Sequence, residues 1–286
     1  MTASTAYTGA RLSAHGALTA EINSNGSLRR FDCGTVSLLL FVGNELDGAP
    51  ANLYLRLHGS PAECTPLLGP RSPTRYEATV ADNRFTGAGS WRGVEYALEL
   101  VLAQSATAWF WHVHVSNRTA DALLLDLTYA QDLALAPYGA VRMNEFYVSQ
   151  YVDHTPLSHP AHGVVLASRQ NQAADGRHPW SLIGSLRQGA SFATDALQFH
   201  GLANREGAGA RHLAAELPSR RLQHEHSMVV VRETPIRLAP NASAWGGFFG
   251  GFLADHPEAT SPSDLERVQP IVALPEAKPR SIAPAA

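Results

Sequence analysis

Apolar and polar residues alternate along much of this chain in short runs set between turn residues. Val94, Tyr96, Leu98, Leu100 and Leu102 occupy every second position, the period of a strand with one face buried. Between Thr107 and Thr119 both faces are marked. Trp109, Trp111, Val113 and Val115 point one way, and Phe110, His112 and His114 the other. The apolar, β-branched run Thr35–Gly43 follows an Asn25-Gly26 pair, a strong hairpin signal. Strand-like runs recur at 76–80, 84–91, 163–171, 180–186, 196–201, 226–243 and 244–256. The stretch Ala120–Leu135 fits helix or strand, and its place after the turn at 117–120 makes it a returning antiparallel strand. So many strands, with Gly, Pro and Asn turns between them, predict an all-β fold: one large antiparallel two-sheet sandwich over residues 1–257. Residues 258–286 read as a linker. Ser263 would cap a short helix, with Glu266 three residues on, and a Pro/Ala-rich tail would be disordered.

Composition narrows the function classes. The net charge is −3, and charged residues make up 16% of the 286, against about 25% in a typical soluble protein. A surface short of charge suits partial cover by a partner. No Lys/Arg run exists and Lys278 is the sole lysine, so nucleic-acid binding has no electrostatic basis. Two cysteines, Cys33 and Cys64, make neither a disulfide framework nor a CxxC metal site. The first ten residues lack the pattern of a secretory signal, and no uncharged apolar stretch of about 18 residues is present. A cytoplasmic location is the expectation.

Several phrases resemble the N-terminal region of glycoside hydrolase family 94, which holds cellobiose and β-1,2-oligoglucan phosphorylases and the C-terminal part of cyclic β-1,2-glucan synthases. They are INSNGSLRRFDCG (Ile22–Gly34), NLYLR (Asn52–Arg56), PLLGPRSP (Pro66–Pro73), NEFYVSQYVDHTPLSHPAHGVVLASRQN (Asn144–Asn171) and WGGFFGGFLADHP (Trp245–Pro257). The YVSQYVDHTPL block is the most specific. The resemblance implies a galactose mutarotase-like β-supersandwich, followed in the family by a helical linker and an (α/α)6 barrel. That barrel carries the acid that protonates the leaving oxygen, while inorganic phosphate, the co-substrate, attacks the anomeric carbon with inversion. This is the inverting plan with phosphate in place of water. On this reading the chain holds the family's front part without its barrel and is inactive alone. Its expected partners are a β-glucan oligosaccharide, a barrel in cis or on a separate chain, and a second copy in a homodimer. No cofactor is expected.

The densest cluster of candidate chemistry is NEFYVSQYVDHTPLSHPAH. Gln, Asp and His satisfy sugar hydroxyls, and tyrosine rings stack on the apolar face of a pyranose. The family's corresponding region sends a loop towards the catalytic pocket. Gln150, Tyr151 and His154 are therefore the foremost substrate contacts, with Arg169 and Asn171 behind them. Trp180, after the polar DGRHP, is a candidate stacking platform. The bland alternative for each is a side chain that caps a strand or turn.

Other features point to scaffold. His112/His114 and the His224-Glu225-His226 triplet lack a third metal ligand at any telling spacing. No G-x-S-x-G elbow occurs. GAGSWRG (Gly87–Gly93) has no phosphate-binding lysine and reads as a hairpin turn. GGFFGG (Gly246–Gly251) reads as a strand packed closely or bulged. Arg29 and Arg30 read as a solvated hairpin. Two functional alternatives stand beside the phosphorylase domain: a free-standing β-glucan-binding module, and an aldose epimerase-like enzyme pairing His112 with Glu216 or Glu225 as acid and base.

Overall fold

Strands form where the alternation places them. The computed structural model describes residues 9–79, 83–201, 211–222 and 226–279. Its first ten strands are β1 (Ala10–Ser13), β2 (Leu18–Ile22), β3 (Leu28–Cys33), β4 (Val36–Ser37), β5 (Asn52–Leu57), β6 (Glu63–Pro66), β7 (Arg75–Thr79), β8 (Arg84–Trp91), β9 (Val94–Leu102) and β10 (Ala108–Asn117). Then come β11 (Leu123–Asp132), β12 (Ala136–Pro137), helices α1 (Tyr138–Met143) and α2 (Glu145–Ser149), β13 (Val152–His159), β14 (Gly163–Gln170), β15 (Trp180–Ser185) and β16 (Gly189–Asp195). The remainder holds α3 (Ala196–His200), α4 (Arg211–Ala214), β17 (Ser227–Glu233), β18 (Ile236–Leu238), β19 (Ser243–Leu253) and α5 (Val268–Val272).

A small sheet runs β1-β2-β3-β4-β12, and a large one runs β6-β5-β11-β17-β16-β14-β15-β19-β10-β9-β8-β7, with β13 on β14 and β18 on β11. Among the described residues, pairing between the named strands is antiparallel except for Gly163 against Gly189, and an isolated parallel bridge joins Ala193 to Arg220. This is the all-β supersandwich expected, with short helical turns at its C-terminal end.

One core fills the space between the two sheets. The β9 residues Val94 to Leu102 named above all enter it, as do Trp109, Trp111, Val113 and Val115 of β10. From the small sheet, Leu12, Leu18, Ile22 and Phe31 close over them, and Phe31 meets Trp109 edge-on at 4.9 Å. Each buried Leu or Phe contributes roughly 1.5–3 kcal/mol. The Asn25-Gly26 turn is real: Gly26 sits at φ 79°, and a Cβ there would strike the Tyr76 ring. GGFFGG lies inside β19, where a Cβ on Gly250 would come within 2.0 Å of Trp109. Glycine is thus required for sheet and ring to meet, not to cradle phosphate.

The outer face of the large sheet is apolar too. Over β5, β11, β16 and β17, Phe199, Leu213 and Leu217 cover Tyr54, Ala130, Ala193 and Val230. Over β10, β14, β15 and β19, the segment after Asp255 brings Val268, Ile271 and Ala277 onto Phe110, Val165, Leu182 and Phe249.

Three expectations change. Residues 196–201 are not a strand. Asp195 caps α3 by accepting from the Gln198 amide at 3.0 Å, and Gly201 ends it at φ 77°; an Asp start and Gly stop outweigh a short apolar run. The linker turn is capped by Ser261 rather than Ser263, with Pro262 first in the turn and Asp264 reaching back to the Ser261 amide at 2.9 Å. Finally, the cluster beginning at Asn144, where a loop was expected, opens with helix α2 (Glu145–Ser149), directly after α1. The triplet residues His224 and Glu225 and the tail 280–286 lie outside the described residues.

Glu233, fully buried at the end of β17, accepts from Ser185 Oγ at 2.8 Å and the Gly247 amide at 2.9 Å. Burial pushes its carboxyl up to about 7. A raised folded value means that the native state holds the proton more tightly, so stability falls as pH rises from about 4.5 through 7. Glu233→Gln should remove a pH-dependent loss on the order of 2–3 kcal/mol between pH 5 and 8. Denaturant melts at a series of pH values check this; an unchanged slope would contradict it.

Candidate functional site

A solvent-facing ledge is built by α1, α2 and the start of β13. The Asn144 side chain caps α2 by accepting from the Tyr147 amide at 2.9 Å. Val148 and Ser149 turn inward and are buried, and Ser149 Oγ takes the Ser227 amide at 2.7 Å. From β14, Gln170 Nε2 donates to Ala134 O and Val148 O at 2.9 and 3.2 Å. The ledge therefore stands on a fixed base, as a precise binding surface requires.

What remains outside is aromatic and polar. Tyr147 is 46% exposed, and the Tyr151 ring meets it edge-on at 5.1 Å. The Tyr151 hydroxyl donates to that of Tyr147 at 3.2 Å. This hydrogen bond, with the nearby Tyr147 phenol, holds the Tyr151 phenol above its ordinary value. Gln150 and Asn171 are exposed beside them, and the Asn171 amide donates to Tyr151 O at 2.9 Å. Asp153 pairs with Arg221. Phe146 continues the aromatic strip against His226 at 5.3 Å. Such a surface can stack on a sugar and hydrogen-bond its hydroxyls.

The remaining predicted contacts lie elsewhere. His154 is buried, its Nδ1 against Ser168 Oγ at 2.8 Å and its Nε2 against Ser227 Oγ at 3.0 Å, and desolvation drives it down to about 4. This neutral imidazole ties β13 to β14 and β17. Arg169 donates to His256 O and Pro257 O, both at 2.7 Å, and to Asn171 Oδ1 at 2.5 Å; it clamps the C-terminal segment. Trp180 is 1% exposed, stacked on His256 at 5.1 Å and donating to Thr260 Oγ1 at 3.0 Å, so neither ring face is open to a sugar. Of the six residues, Gln150, Tyr151 and Asn171 are accessible together. Sequence reasoning passed over Phe146 and Arg221. The spacing of Phe146 and Tyr147 beyond a capping Asn was the available signal for the first; Arg221 lies too far along the chain to be placed.

The epimerase pairing of His112 with Glu216 does not assemble, and its other candidate partner, Glu225, lies outside the described residues. His112 is buried and donates to Glu276 O at 2.8 Å, on β10 rather than on a solvated face. Glu216 is engaged by Arg56, on β5, at 2.8 Å. Arg30 is likewise occupied, by Asp32 at 2.7 Å and the Tyr138 ring at 4.2 Å. Cys33 and Cys64 are both free. Among the described residues, no group of three or more His, Cys, Asp or Glu side chains could hold a metal ion, and no helix is long and apolar enough to cross a membrane.

Residues 21–250 match the model of the SOGP N-terminal domain. This chain belongs to the SOGP N-terminal domain family. Its similarity to a 1,2-beta-oligoglucan phosphorylase of Listeria innocua is 31% identity over 216 residues, 74% of this chain and 19% of that protein. The chain thus spans about a fifth of that relative's length. Two solved structures share the fold alone. A polysaccharide lyase matches with a TM-score of 0.51 and 8% identity, over 84% of this chain and 32% of its own. A bacterial glucoamylase complexed with acarbose gives 0.51 and 6%, over 92% and 36%. In this SOGP N-terminal domain the ledge, at 144–151 and 171, lies inside the matched span, whereas the clamped C-terminal segment lies beyond it.

Because the Tyr147 hydroxyl raises the Tyr151 phenol, Tyr147→Phe should return Tyr151 to the usual tyrosine range. Titration of ring-labelled tyrosine by NMR would read this, and an unmoved Tyr151 would contradict the pairing.

Proposed function

We propose that this domain is the N-terminal, carbohydrate-handling part of a family 94-like β-glucan phosphorylase, and that its ledge lines the substrate pocket of the whole enzyme. The family match over 21–250 carries the reading; the aromatic ledge within that span supports it. In the whole enzyme a separate barrel supplies the acid and inorganic phosphate is the co-substrate, giving inverting phosphorolysis of β-1,2-gluco-oligosaccharides in the cytoplasm. Here Tyr147 and Tyr151 stack on glucosyl faces, and Gln150 and Asn171 take hydroxyls. A homodimer would cover part of the low-charge surface. A free-standing β-glucan-binding module uses the same ledge and differs only in needing no barrel.

Calorimetric titration with β-1,2-gluco-oligosaccharides and, separately, cello-oligosaccharides tests the proposal. Selective binding of the β-1,2 series is expected, with Tyr151→Ala weakening it about ten-fold or more, the loss of one stacking ring. Trp180→Phe should leave affinity unchanged. Binding indifferent to Tyr151 would refute the ledge as the glucan surface.

A further inference from the structure

At the end of β14 one guanidinium serves two places at once. Arg169 is buried, and all three of its nitrogens donate. Nε reaches His256 O and Nη2 reaches Pro257 O, both at 2.7 Å, while Nη1 reaches Asn171 Oδ1 at 2.5 Å. The first two bonds hold the C-terminal segment. The third ends on an exposed residue of the ledge, and holding the segment does not require it.

The chemistry of the two groups leaves one arrangement. A guanidinium donates at every nitrogen and accepts at none. A side-chain amide accepts through its oxygen and donates through its nitrogen. The Asn171 amide must therefore turn its oxygen towards Arg169 and its NH2 group away. Among the described residues no acceptor engages that nitrogen. The backbone beneath it is fixed as well. The Asn171 N–H donates to Tyr151 O at 2.9 Å, and the Gln170 N–H to Pro179 O at 2.9 Å, while Gln170 Oε1 accepts from the Gln172 amide at 3.0 Å. Tyr147 has the same polarity. Its hydroxyl accepts from that of Tyr151, which leaves its own hydrogen to donate outward.

We propose that Arg169 is a positioning residue that sets the hydrogen-bond polarity of the ledge: by holding Asn171 Oδ1 it presents Asn171 Nδ2 to the ligand as a donor. This rests on the ledge being the glucan surface. The group recognised is then a sugar oxygen acting as acceptor, which includes the ring and glycosidic oxygens that a carbonyl could not bind. Arg169 touches no sugar and acts only through Asn171.

The test is NMR of the nitrogen-15-labelled full chain, beside calorimetry with β-1,2-gluco-oligosaccharide. In the unaltered chain the Asn171 side-chain amide should be rigid by its heteronuclear NOE, and glucan should move one of its NH2 protons downfield. Arg169→Lys keeps the charge and loses the fork. It should leave that amide mobile and weaken glucan binding about ten-fold, the loss of one hydrogen bond. In an Asn171→Ala background the same change should cost no further affinity, because the residue it acts through is gone. Trp180→Phe loosens the same C-terminal segment without touching Asn171, and should leave both the amide and the affinity unchanged. A mobile Asn171 amide in the unaltered chain overturns the proposal without any glucan, and remains readable if Arg169→Lys does not fold. Equal affinity losses for Arg169→Lys with and without Asn171 overturn it too. A rigid amide in a chain that binds no glucan instead refutes the ledge as the glucan surface, and the donor role falls with it.

Discussion

Everything in this molecule follows from a sheet that is apolar on both faces. Trp109 and Trp111 enter the main core while Phe110, between them, enters a second one. An antiparallel sheet often leaves one face to water; here both must be covered. The small sheet covers the inner face mainly by side-chain packing, helped by a few bonds such as those from the Leu40 and Phe41 amides to Asp132. The outer face is covered by short helices and an irregular segment, whose backbone polar groups need partners once they are pressed onto it.

That requirement explains where the long polar side chains go. Arg169 takes His256 O and Pro257 O, Trp180 holds Thr260 and His256, and His112 takes Glu276 O. Arg56 and Arg232 do the same for Leu213 to Ala215. Apart from Trp180, which grips side chains, each rises from the sheet to hold the backbone lying on it. The residue types are those that bind sugars, because a carbonyl and a hydroxyl ask for the same donors.

This sets how far the sequence could be read. Alternation and turn residues carry local information, so β9, β10, the Asn25-Gly26 hairpin and the strand nature of Ala120–Leu135 were all legible. The pairing of β5 with β11, or of Trp180 with a threonine 80 residues later, leaves no local trace. Hence Arg169, His154 and Trp180 looked like ligand contacts and are clamps, whereas Gln150, Tyr151 and Asn171 are exposed together. The α3 cap was in the sequence as Asp195 and Gly201, and the apolar run between them drew attention to the wrong period.

The ledge faces solvent whereas the clamps are buried against the segment they hold, and glucan is assigned to the ledge. Hydrogen exchange, measured with and without saturating β-1,2-gluco-oligosaccharide, tests that separation most directly. Slower exchange in peptides spanning 144–151 and 171, with 178–182 and 255–260 unchanged, is the predicted result. Protection centred on Trp180 and His256, with the ledge unaffected, would contradict it.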